Sequence, residues 1–399
     1  MTHGPHPPGP WPPVVLEGVE LRLVELTMAR PVGTSAGTHD RRPVILVRLA
    51  GSVGADWASE GWGEAGALAD GTAVDPPVDA VWRALVAHVD RLVAATAARD
   101  GYLPEPSVVA RILGDDPAHR MAGAALEMAT LDLGLRRSGH SLAEWMGGSG
   151  RSVEAGAVVG IPAGRRPQAV VEAVAGLVAA GFSRVRVKIA PGFDRVPLAA
   201  VRAAFPGLHL QADANGAYRL DDADGPADAT GLADLDPLGL VCLEQPLPAP
   251  DLAAHAQLAT RLATPLALDE SLTSPRRVAD ALRYRACAVA CLKPARLGGL
   301  VAARRALALC VEAGVPAFVG GFFETGLGRS ANAALATLDG FTLPGDLSDP
   351  ASYLADDPFS YPPVVGGRVD VPEAPGIAPG PDPGALARRT VETRWVPAG

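Results

Sequence analysis

From about Val153 onward, short apolar runs alternate with Ala-rich amphipathic stretches. Successive runs end at residues 188, 213, 244, 269, 293 and 320, which are 25, 31, 25, 24 and 27 residues apart. A β-strand, a crossover helix and two turns take about that length. The pattern therefore predicts a tandem βα array with a return strand near 341–346. Its seven strands correspond to the apolar runs at 153–161, 184–189, 208–213, 240–244, 265–269, 288–293 and 315–320.

This array favours a closed barrel over an open parallel sheet. An open nucleotide-binding sheet carries a Gly-rich phosphate turn after its first strand, and this sequence has no such turn. The pattern GxxxxGK[ST] is also missing, because neither lysine of the chain follows the required glycines. We therefore expect an α/β fold, a modified (β/α)7β barrel of the TIM type. The acidic stretch 221–236 is interpreted as a lengthened crossover with a solvated face.

The first third of the chain has a different pattern. Alternating apolar and polar positions predict strands at 14–31 and 42–51, with a loop between them and a third strand at 61–66. Helical spacing follows at 78–98 and 119–138. We thus expect four segments: a disordered tail (1–13), an α+β domain (14–145), the barrel (146–348) and a C-terminal segment that returns to the first domain (349–399).

Composition limits the location and the partners. Hydrophobic residues make up 48% and charged residues 20% of the chain, and the formal net charge is −9. No apolar run reaches the roughly 18 residues of a membrane helix, and the Pro-rich N-terminus does not resemble a signal peptide. Without clustered Lys and Arg, neither nucleic acid nor a membrane is expected as partner. We expect a cytoplasmic protein whose four cysteines are buried thiols.

The ends of the apolar runs carry the candidate chemistry. These ends are Lys188, Asp213, Glu244, Asp269 and Lys293. Lys188 and Lys293 are the only lysines of the chain, since the other 33 of its 35 basic residues are arginines. In a barrel of this kind, side chains at the C-terminal strand ends converge. Three carboxylates there form a hard oxygen cage of the kind that holds Mg²⁺. The two lysines would then stand on either side of whatever the metal holds.

Each of these residues alone has a simpler interpretation. A lone Asp after a strand is most often a turn or helix-capping residue, and a lone Glu or Lys is most often a solvated charge. The combination favours a functional site, because five acid/base residues occupy the same relative place on five successive units.

Five ordered motifs resemble the enolase superfamily: ADANGAY (212–218), LEQPL (243–247), LDES (268–271), LKPARLGG (292–299) and GGFFETGLGR (320–329). Within it they look like the muconate-cycloisomerase subgroup, nearest to o-succinylbenzoate synthases and N-succinylamino acid racemases. The resemblance implies an α+β capping domain on the barrel and Mg²⁺, with Mn²⁺ as a possible substitute, at Asp213, Glu244 and Asp269. It also implies Lys188 and Lys293 as the acid/base pair.

The same resemblance implies supporting residues and a partner. Asn215 and Glu270 would act as electrostatic helpers and Arg186 as a supporting charge. The substrate would be a small carboxylate, and the protein a homo-oligomer. Further residues expected to bind substrate or to support the site lie after the seventh barrel strand: Gly321, Phe322, Phe323 and Glu324.

The chemistry agrees with this assignment. A proton α to a carboxylate is too weakly acidic for a free amine, so a metal must stabilise the charge that forms. A lysine base needs a lowered pKa, which we expect from partial burial and from the positive charges of Mg²⁺ and Arg186. Dehydration to o-succinylbenzoate, a menaquinone precursor, is the leading expectation. Racemisation of an N-acylamino acid, or another cycloisomerase or racemase reaction, remains open, as does a barrel that only binds a metabolite.

Several positions depart from the resembled pattern. The chain has no histidine beyond His255, which argues against the mandelate-racemase-like use of a His base. We expect His255 at a surface helix position, and His39 in a loop of the first domain. In the substrate-binding region, Val158, Phe322 and Phe323 stand where relatives carry smaller or polar residues, and we expect the two phenylalanines to fill part of the pocket.

Overall fold

The computed structural model describes residues 11–34, 37–52, 58–113, 119–220 and 228–399. Its N-terminal part is a four-stranded antiparallel sheet in the order β13-β1-β2-β3. The strands are β1 (Val15–Thr34), β2 (Gly37–Ser52), β3 (Ala58–Ala65) and, from the end of the chain, β13 (Thr390–Pro397). The helices of this part are α1 (Val78–Ala97), α2 (Pro106–Leu113), α3 (Arg120–Ser138) and α4 (Leu142–Met146). We call these strands and helices, with the segments that join them, the cap.

The alternation of apolar and polar residues along β1 and β2 directs one set of apolar side chains into the core of the cap. Val19 and Leu21 of β1 and Ile45 and Val47 of β2 are buried in one cluster with apolar side chains of α1, α2 and α3. Gly63 of β3 lets α3 approach the sheet closely, because a Cβ there would lie 2.0 Å from the carbonyl oxygen of Ala125. The cap thus has its own hydrophobic core.

The second part is a parallel sheet of seven strands with the order β11-β10-β9-β8-β7-β6-β5. Its strands are β5 (Ala157–Val159), β6 (Arg184–Lys188), β7 (His209–Asp213), β8 (Leu243–Glu244), β9 (Leu266–Leu268), β10 (Val289–Leu292) and β11 (Ala317–Val319). The helices that connect and follow them are α5 (Pro167–Ala179), α6 (Arg195–Ala204), α7 (Leu252–Ala259), α8 (Pro275–Tyr284), α9 (Pro294–Leu297), α10 (Leu300–Glu312) and α11 (Gly326–Leu335). This is the parallel βα framework expected for the barrel.

Three details of the strands differ from the sequence-based expectation. The apolar run 153–161 splits into β5 and a separate β4 (Ser152–Glu154), which pairs with β12 (Arg368–Asp370). The return strand near 341–346 is reduced to isolated bridges, Ala317 to Phe341 and Ala155 to Gly345, because the segment contacts each edge only briefly. The expected loop after 31 is instead strand, since β1 and β2 continue to pair out to Thr34 and Gly37.

Other expectations fall partly outside the described residues. Residues 1–10 and 221–227 lie outside them, and so does the side chain of His39. The described remainder of the acidic crossover forms a 3-10 helix, Ala229–Leu238. The chain ends in α12 (Pro383–Arg389) and β13, and β13 pairs antiparallel with β1. No helix within the described ranges is long and apolar enough to cross a membrane.

Buried carboxylates of the cap reach into the barrel. Glu64 of β3 accepts hydrogen bonds from the backbone amides of Thr325 (3.0 Å) and Gly328 (3.1 Å) at the start of α11. Glu127 of α3 accepts from the amide of Val301 in α10 at 3.1 Å. Both carboxylates are almost fully buried. Orphan amides at the N-terminal ends of two barrel helices are thus satisfied by the cap.

Candidate active site

Five predicted side chains lie at one end of the parallel sheet. β6 ends at Lys188, β7 at Asp213 and β8 at Glu244. Asp269 directly follows β9, and Lys293 directly follows β10. Within the ladder, Lys188 pairs with Asp213, and Asp213 pairs with Glu244. The structure therefore brings these residues together on five neighbouring strands, in the order expected from the sequence.

The amine of Lys188 is held by two acceptors. Its Nζ donates to Asp213 Oδ2 at 2.6 Å and to Asn215 Oδ1 at 2.7 Å. Asn215 adopts a left-handed backbone conformation with φ 44°, and its Nδ2 donates to Glu270 Oε1 at 2.8 Å. Burial raises the pKa of Glu270, and the negative charge of Asp269 raises it further. Asn215 thus connects the Lys188 amine to the Glu270 carboxyl.

The amine of Lys293 is held by a carboxylate and an aromatic face. Its Nζ donates to Asp269 Oδ2 at 2.7 Å and lies 4.7 Å from the centroid of the Phe322 ring. Gly320 leaves room for the lysine, because a Cβ there would lie 2.8 Å from Lys293 Cε. Burial lowers the pKa of Lys293, but the charge of Asp269 outweighs it, and the net pKa is raised. The charge of Asp269 therefore acts against the lowered pKa expected of a lysine base, and that expectation, which includes the charge of a bound Mg²⁺, stays a prediction.

Arg186 anchors the middle carboxylate. Its Nη1 donates to both oxygens of Glu244 at 2.9 Å, and its Nη2 donates to Asp346 Oδ2 at 2.5 Å. The side-chain amide of Gln211 also donates to Glu244. Burial raises the pKa of Glu244; Arg186 opposes this, Asp213 adds to it, and the net pKa is about 8. Arg186 is therefore placed to support Glu244, and Gln211 and Asp346 were not singled out from the sequence.

A buried arginine connects the cap to the site. Arg296 in α9 donates from Nε and Nη2 to the two carboxylate oxygens of Asp75 at 2.8 and 2.7 Å, and from Nη1 to Asp269. Burial raises the pKa of Asp269, but Arg296 and Lys293 together hold it well below its usual range. Sequence reasoning missed Asp75, which lies 221 residues before Arg296 and in no motif.

One group of side chains can hold a metal ion among the described residues. Ligand atoms of Glu244, Asp269 and Cys291 lie within 4.8 Å of one another, and all three residues are buried. Asp213 lies beside Glu244 in the ladder. The group does not include Asp213, the third predicted ligand, and contains Cys291 instead. Its two carboxylates suit Mg²⁺, whereas a thiol suits softer ions. All four cysteines are buried and free, as predicted, and the position of Cys291 beside the two carboxylates was not foreseen.

The turn after β11 places aromatic residues beside the lysine. Glu324 Oε1 accepts from the backbone amide of Phe322 at 2.8 Å, and Gly321 is tight against this carboxylate, since a Cβ there would lie 2.8 Å from Oε2. Phe323 has a left-handed φ of 57° and packs edge-on against Tyr353 with 5.3 Å between ring centroids. Phe322 is buried against the core of the cap. The turn thus holds Phe322 against Lys293 and packs Phe323 against the core of the barrel.

The prediction for His255 was wrong. The residue is fully buried in α7, and its Nδ1 lies 2.7 Å from the carbonyl oxygen of Asp251. Its Nε2 lies 3.3 Å from Gln245 Nε2, just after β8. Burial lowers the pKa of His255, which favours the neutral ring. The apolar face of α7 was too short to reveal which side of the helix faces the barrel.

The comparisons with known proteins agree with this architecture. The family model of the enolase C-terminal domain-like fold matches residues 169–385. An N-succinylamino acid racemase from Amycolatopsis sp is 40% identical over 96% of this chain and 99% of its own. An o-succinylbenzoate synthase from Geobacillus stearothermophilus is 38% identical over 91% and 92%. A solved structure described as a probable mandelate racemase from Alicyclobacillus acidocaldarius has a TM-score of 0.85 at 36% identity, covering 96% of this chain and 99% of its own.

The chain therefore belongs to the enolase superfamily, in the muconate-cycloisomerase subgroup. It is a lyase or isomerase of that superfamily, which argues against the alternative of a barrel that binds without turnover. The racemase and synthase relatives are about equally similar to it. The superfamily and the fold were both expected from the sequence and are confirmed.

Proposed function

We propose that this protein removes the proton α to the carboxylate of a small acid, with Lys188 and Lys293 as its acid/base pair. The observation that carries the proposal is the position of the two amines. Each lies at the end of its own strand, and each contacts a different carboxylate, Asp213 at 2.6 Å and Asp269 at 2.7 Å. Two proton-transfer groups therefore flank one carboxylate cluster, which is the requirement for attack from either side of a substrate carbon.

Asp213, Glu244 and Asp269 are the proposed ligands of Mg²⁺, with Mn²⁺ as a possible substitute. Support comes from Glu244 and Asp269, whose ligand atoms lie within 4.8 Å of each other, and from the position of Asp213 beside Glu244 in the ladder. Arg186 also fixes Glu244 in one orientation through two hydrogen bonds of 2.9 Å. When bound, the ion supplies Lewis-acid stabilisation of the negative charge that develops on the substrate carboxylate as an enediolate forms.

The supporting residues act on the lysines. Asn215 accepts from Lys188 and donates to Glu270, so it fixes the direction of the Lys188 amine. Phe322 does the same for Lys293 through its ring face. Gly321, Phe323 and Glu324 belong to the proposed site because they shape the turn that carries Phe322.

The leading candidate reaction is dehydration to o-succinylbenzoate. One lysine takes the α-proton, the electron pair forms the new double bond, and hydroxide leaves the β-carbon. The opposite ammonium stabilises the negative charge that develops meanwhile. The Geobacillus relative named o-succinylbenzoate synthase, 38% identical over 91% of this chain, supports this reaction.

Racemisation of N-succinylamino acids is the second candidate. It needs one lysine to take the α-proton and the other to return a proton on the opposite face. The two separately held amines suit this exchange of roles, and the Amycolatopsis relative named as such a racemase is 40% identical over 96% of this chain.

One experiment separates the two reactions. The purified protein is incubated with Mg²⁺ and the cyclohexadiene precursor of o-succinylbenzoate, and separately with N-succinylamino acids in D₂O. Dehydration of the first substrate supports the synthase. Exchange of the α-proton in the second, without dehydration of the first, supports the racemase and contradicts our leading candidate.

The lysine variants test the shared chemistry. K188A and K293A are expected to lower turnover by about 10²–10⁴-fold, the usual contribution of general acid/base catalysis. Unchanged turnover and exchange in both variants would contradict the proposed roles. Because the chain has only these two lysines, no other amine side chain can replace them.

A further inference from the structure

Arg42 is a buried cation of the cap that has no carboxylate partner among the described residues. It lies in β2 opposite Leu26 of β1, and only 3% of its surface is exposed. In the described part of the chain, no carboxylate is within ion-pairing distance of its guanidinium. Burial lowers the pKa of Arg42, and the charges of Glu64 and Glu324 only partly oppose this. Since a buried charge without an ion pair destabilises a fold, the position of Arg42 needs another explanation.

The guanidinium of Arg42 binds backbone carbonyls from three segments. Its Nη1 donates to the carbonyl oxygens of Pro43 in β2 and of Ala67 just after β3. Its Nη2 donates to the carbonyl of Phe322 and its Nε to that of Phe323, both at 3.3 Å, in the turn after β11. Five N–H donors in a planar fork suit such a set of acceptors, whereas a lysine has a single nitrogen. Arg42 therefore fastens the cap to the turn after β11.

The turn after β11 needs this support. Phe323 has a φ of 57°, in the left-handed region, which a bulky residue occupies only where its surroundings hold it there. The cap also packs directly on the turn, because a Cβ at Gly66 would lie 3.3 Å from Cδ2 of the Phe322 ring and 2.8 Å from Cβ of Ala295. The Phe322 ring thus lies between a segment of the cap and the barrel, and Arg42 joins the two.

The Phe322 ring in turn lies against two cations of the barrel. Its centroid is 4.7 Å from Lys293 Nζ and 5.0 Å from Arg296 Cζ. A movement of the turn would therefore change where the Lys293 amine lies, and a misplacement of about 1 Å can cost a reaction roughly 10²-fold. Lys188 is held instead by side chains from β7 and the turn after it. The path from the cap through the ring thus leads to one lysine of the pair.

We propose that Arg42 is a positioning residue for Lys293, because it fixes the turn of Phe322 and Phe323 so that the Phe322 ring faces the lysine amine. This inference rests on the acid/base role proposed for Lys293. The two lysines would serve opposite faces of the substrate carbon, so the loss of Arg42 would impair proton transfer on one face only. Through Arg42, the cap would set the balance between the two faces.

NMR of the two lysines tests the position of the ring in the full-length protein. Because the chain has only two lysines, labelling their ε-carbons gives two side-chain signals, and K188A assigns them by removing one. The ring current of Phe322 displaces the Lys293 signal, and F322L shows where that signal lies without the ring. In R42M we expect the Lys293 signal to move towards its F322L position while the Lys188 signal stays in place. R42K should act like R42M, since one ammonium cannot replace the fork.

Arg202 provides the matched control. It lies in α6 and also binds backbone carbonyls, among them those of Leu208 and Leu238 at 2.8 Å. Leu208 directly precedes β7, so these contacts lie at the end of the parallel sheet opposite the lysines. R202M is therefore expected to move neither lysine signal.

Proton exchange in D₂O tests the consequence for the reaction. K188A and K293A show through which lysine each enantiomer of an N-succinylamino acid exchanges its α-proton. R42M is expected to lower the exchange of the enantiomer that depends on Lys293 by about 10–10²-fold and to leave the other enantiomer unchanged, whereas R202M should leave both unchanged.

The NMR measurement needs no substrate and so decides for either candidate reaction. The proposal is overturned if the Lys293 signal stays in place in R42M and R42K or in F322L, or if R42M lowers the exchange of both enantiomers equally. Exchange of both enantiomers that survives in K293A overturns the proposed role of Lys293 and, with it, this inference. The failure of the proposed function can therefore be told apart from the failure of the role given to Arg42.

Discussion

The ammonium of Lys293 lies over the face of the Phe322 ring, with 4.7 Å between Nζ and the ring centroid. The electron-rich ring face stabilises the charged amine by about 0.5–2 kcal/mol. This contact therefore acts to raise the pKa of Lys293. The ring therefore opposes formation of the free base that proton abstraction requires.

F322L is expected to shift the pH dependence of turnover. Removing the ring lowers the pKa of Lys293, so the free amine exists at lower pH and the acidic limb of the profile moves to lower pH. F359L is the control, because Phe359 is also buried but packs edge-on against Trp62, away from both lysines. If the acidic limb moved equally in F322L and F359L, the shift would come from altered packing, and the role given to the Phe322 ring would be contradicted.

Mg²⁺ is expected to stabilise the folded protein through the proposed ligands. An ion that binds only the native state at 100 times its dissociation constant adds about 2.7 kcal/mol. The thermal midpoint of the wild type should therefore rise with Mg²⁺ and fall again with EDTA, and D269N and E244Q should lose this response. D79N, an exposed position of α1, should keep it. A full Mg²⁺ response in D269N would contradict the assignment.

Cys291 is expected to change the preference among cations. Its thiol is buried beside Glu244 and Asp269, and sulfur favours softer ions such as Zn²⁺ and Co²⁺ over Mg²⁺. C291S should lower the affinity for Zn²⁺ relative to Mg²⁺ in competition titrations, and should remove any sulfur-to-cobalt absorption seen with the wild type. C287S, at another buried thiol, should behave like the wild type. Identical spectra for C291S and wild type would exclude the thiol as a ligand.

The Arg296–Asp75 pair is expected to dominate the electrostatic stability of the cap–barrel contact. Removing one partner of a buried pair costs roughly 3–5 kcal/mol, because the other charge is left uncompensated. D75N should therefore lower the free energy of unfolding by about that amount in denaturant titrations. D79N breaks an exposed pair with Arg83, which water screens, and should leave the free energy of unfolding nearly unchanged. Equal losses in the free energy of unfolding for D75N and D79N would contradict the larger contribution that we expect from the buried pair.

Glu127 is expected to make the protein less stable as the pH rises. Burial raises its pKa to about 7 in the folded protein, against 4.5 for the ordinary group. Between these values the folded state keeps a proton that the unfolded state has lost, so stability falls with rising pH, by roughly 3 kcal/mol in total. E127Q should remove this part of the slope between pH 4.5 and 7. A slope that is identical in wild type and E127Q would contradict this role.

The strand-end residues could be predicted because they repeat with the period of the βα unit. Lys188, Asp213 and Glu244 each close an apolar run, and their spacing alone places them on neighbouring strands. The pKa of Lys293 could not be predicted in this way. It depends on whether burial or the charge of Asp269 is the larger effect, and this requires the distance of 2.7 Å between them.

Contacts between the cap and the barrel carried no sequence signal. Asp75 and Arg296 are 221 residues apart, and although Arg296 lies in the motif 292–299, nothing in that motif indicates Asp75 as its partner. The inward orientation of His255 was also missed, because eight residues of α7 with several alanines do not define a single apolar face. Such features depend on how finished elements dock, which local periodicity does not encode.

The cap provides three buried carboxylates, Glu64, Asp75 and Glu127, that end on groups of the barrel. Each is matched by one arginine or by a few particular amides, so the two parts are specific to each other as well as to the substrate. A chimera that joined this barrel to the cap of a homologous protein would have to carry all three carboxylates at the same places, or leave a buried arginine and two helix ends without their partners. These contacts between the cap and the barrel therefore restrict recombination between family members more tightly than the fold alone would.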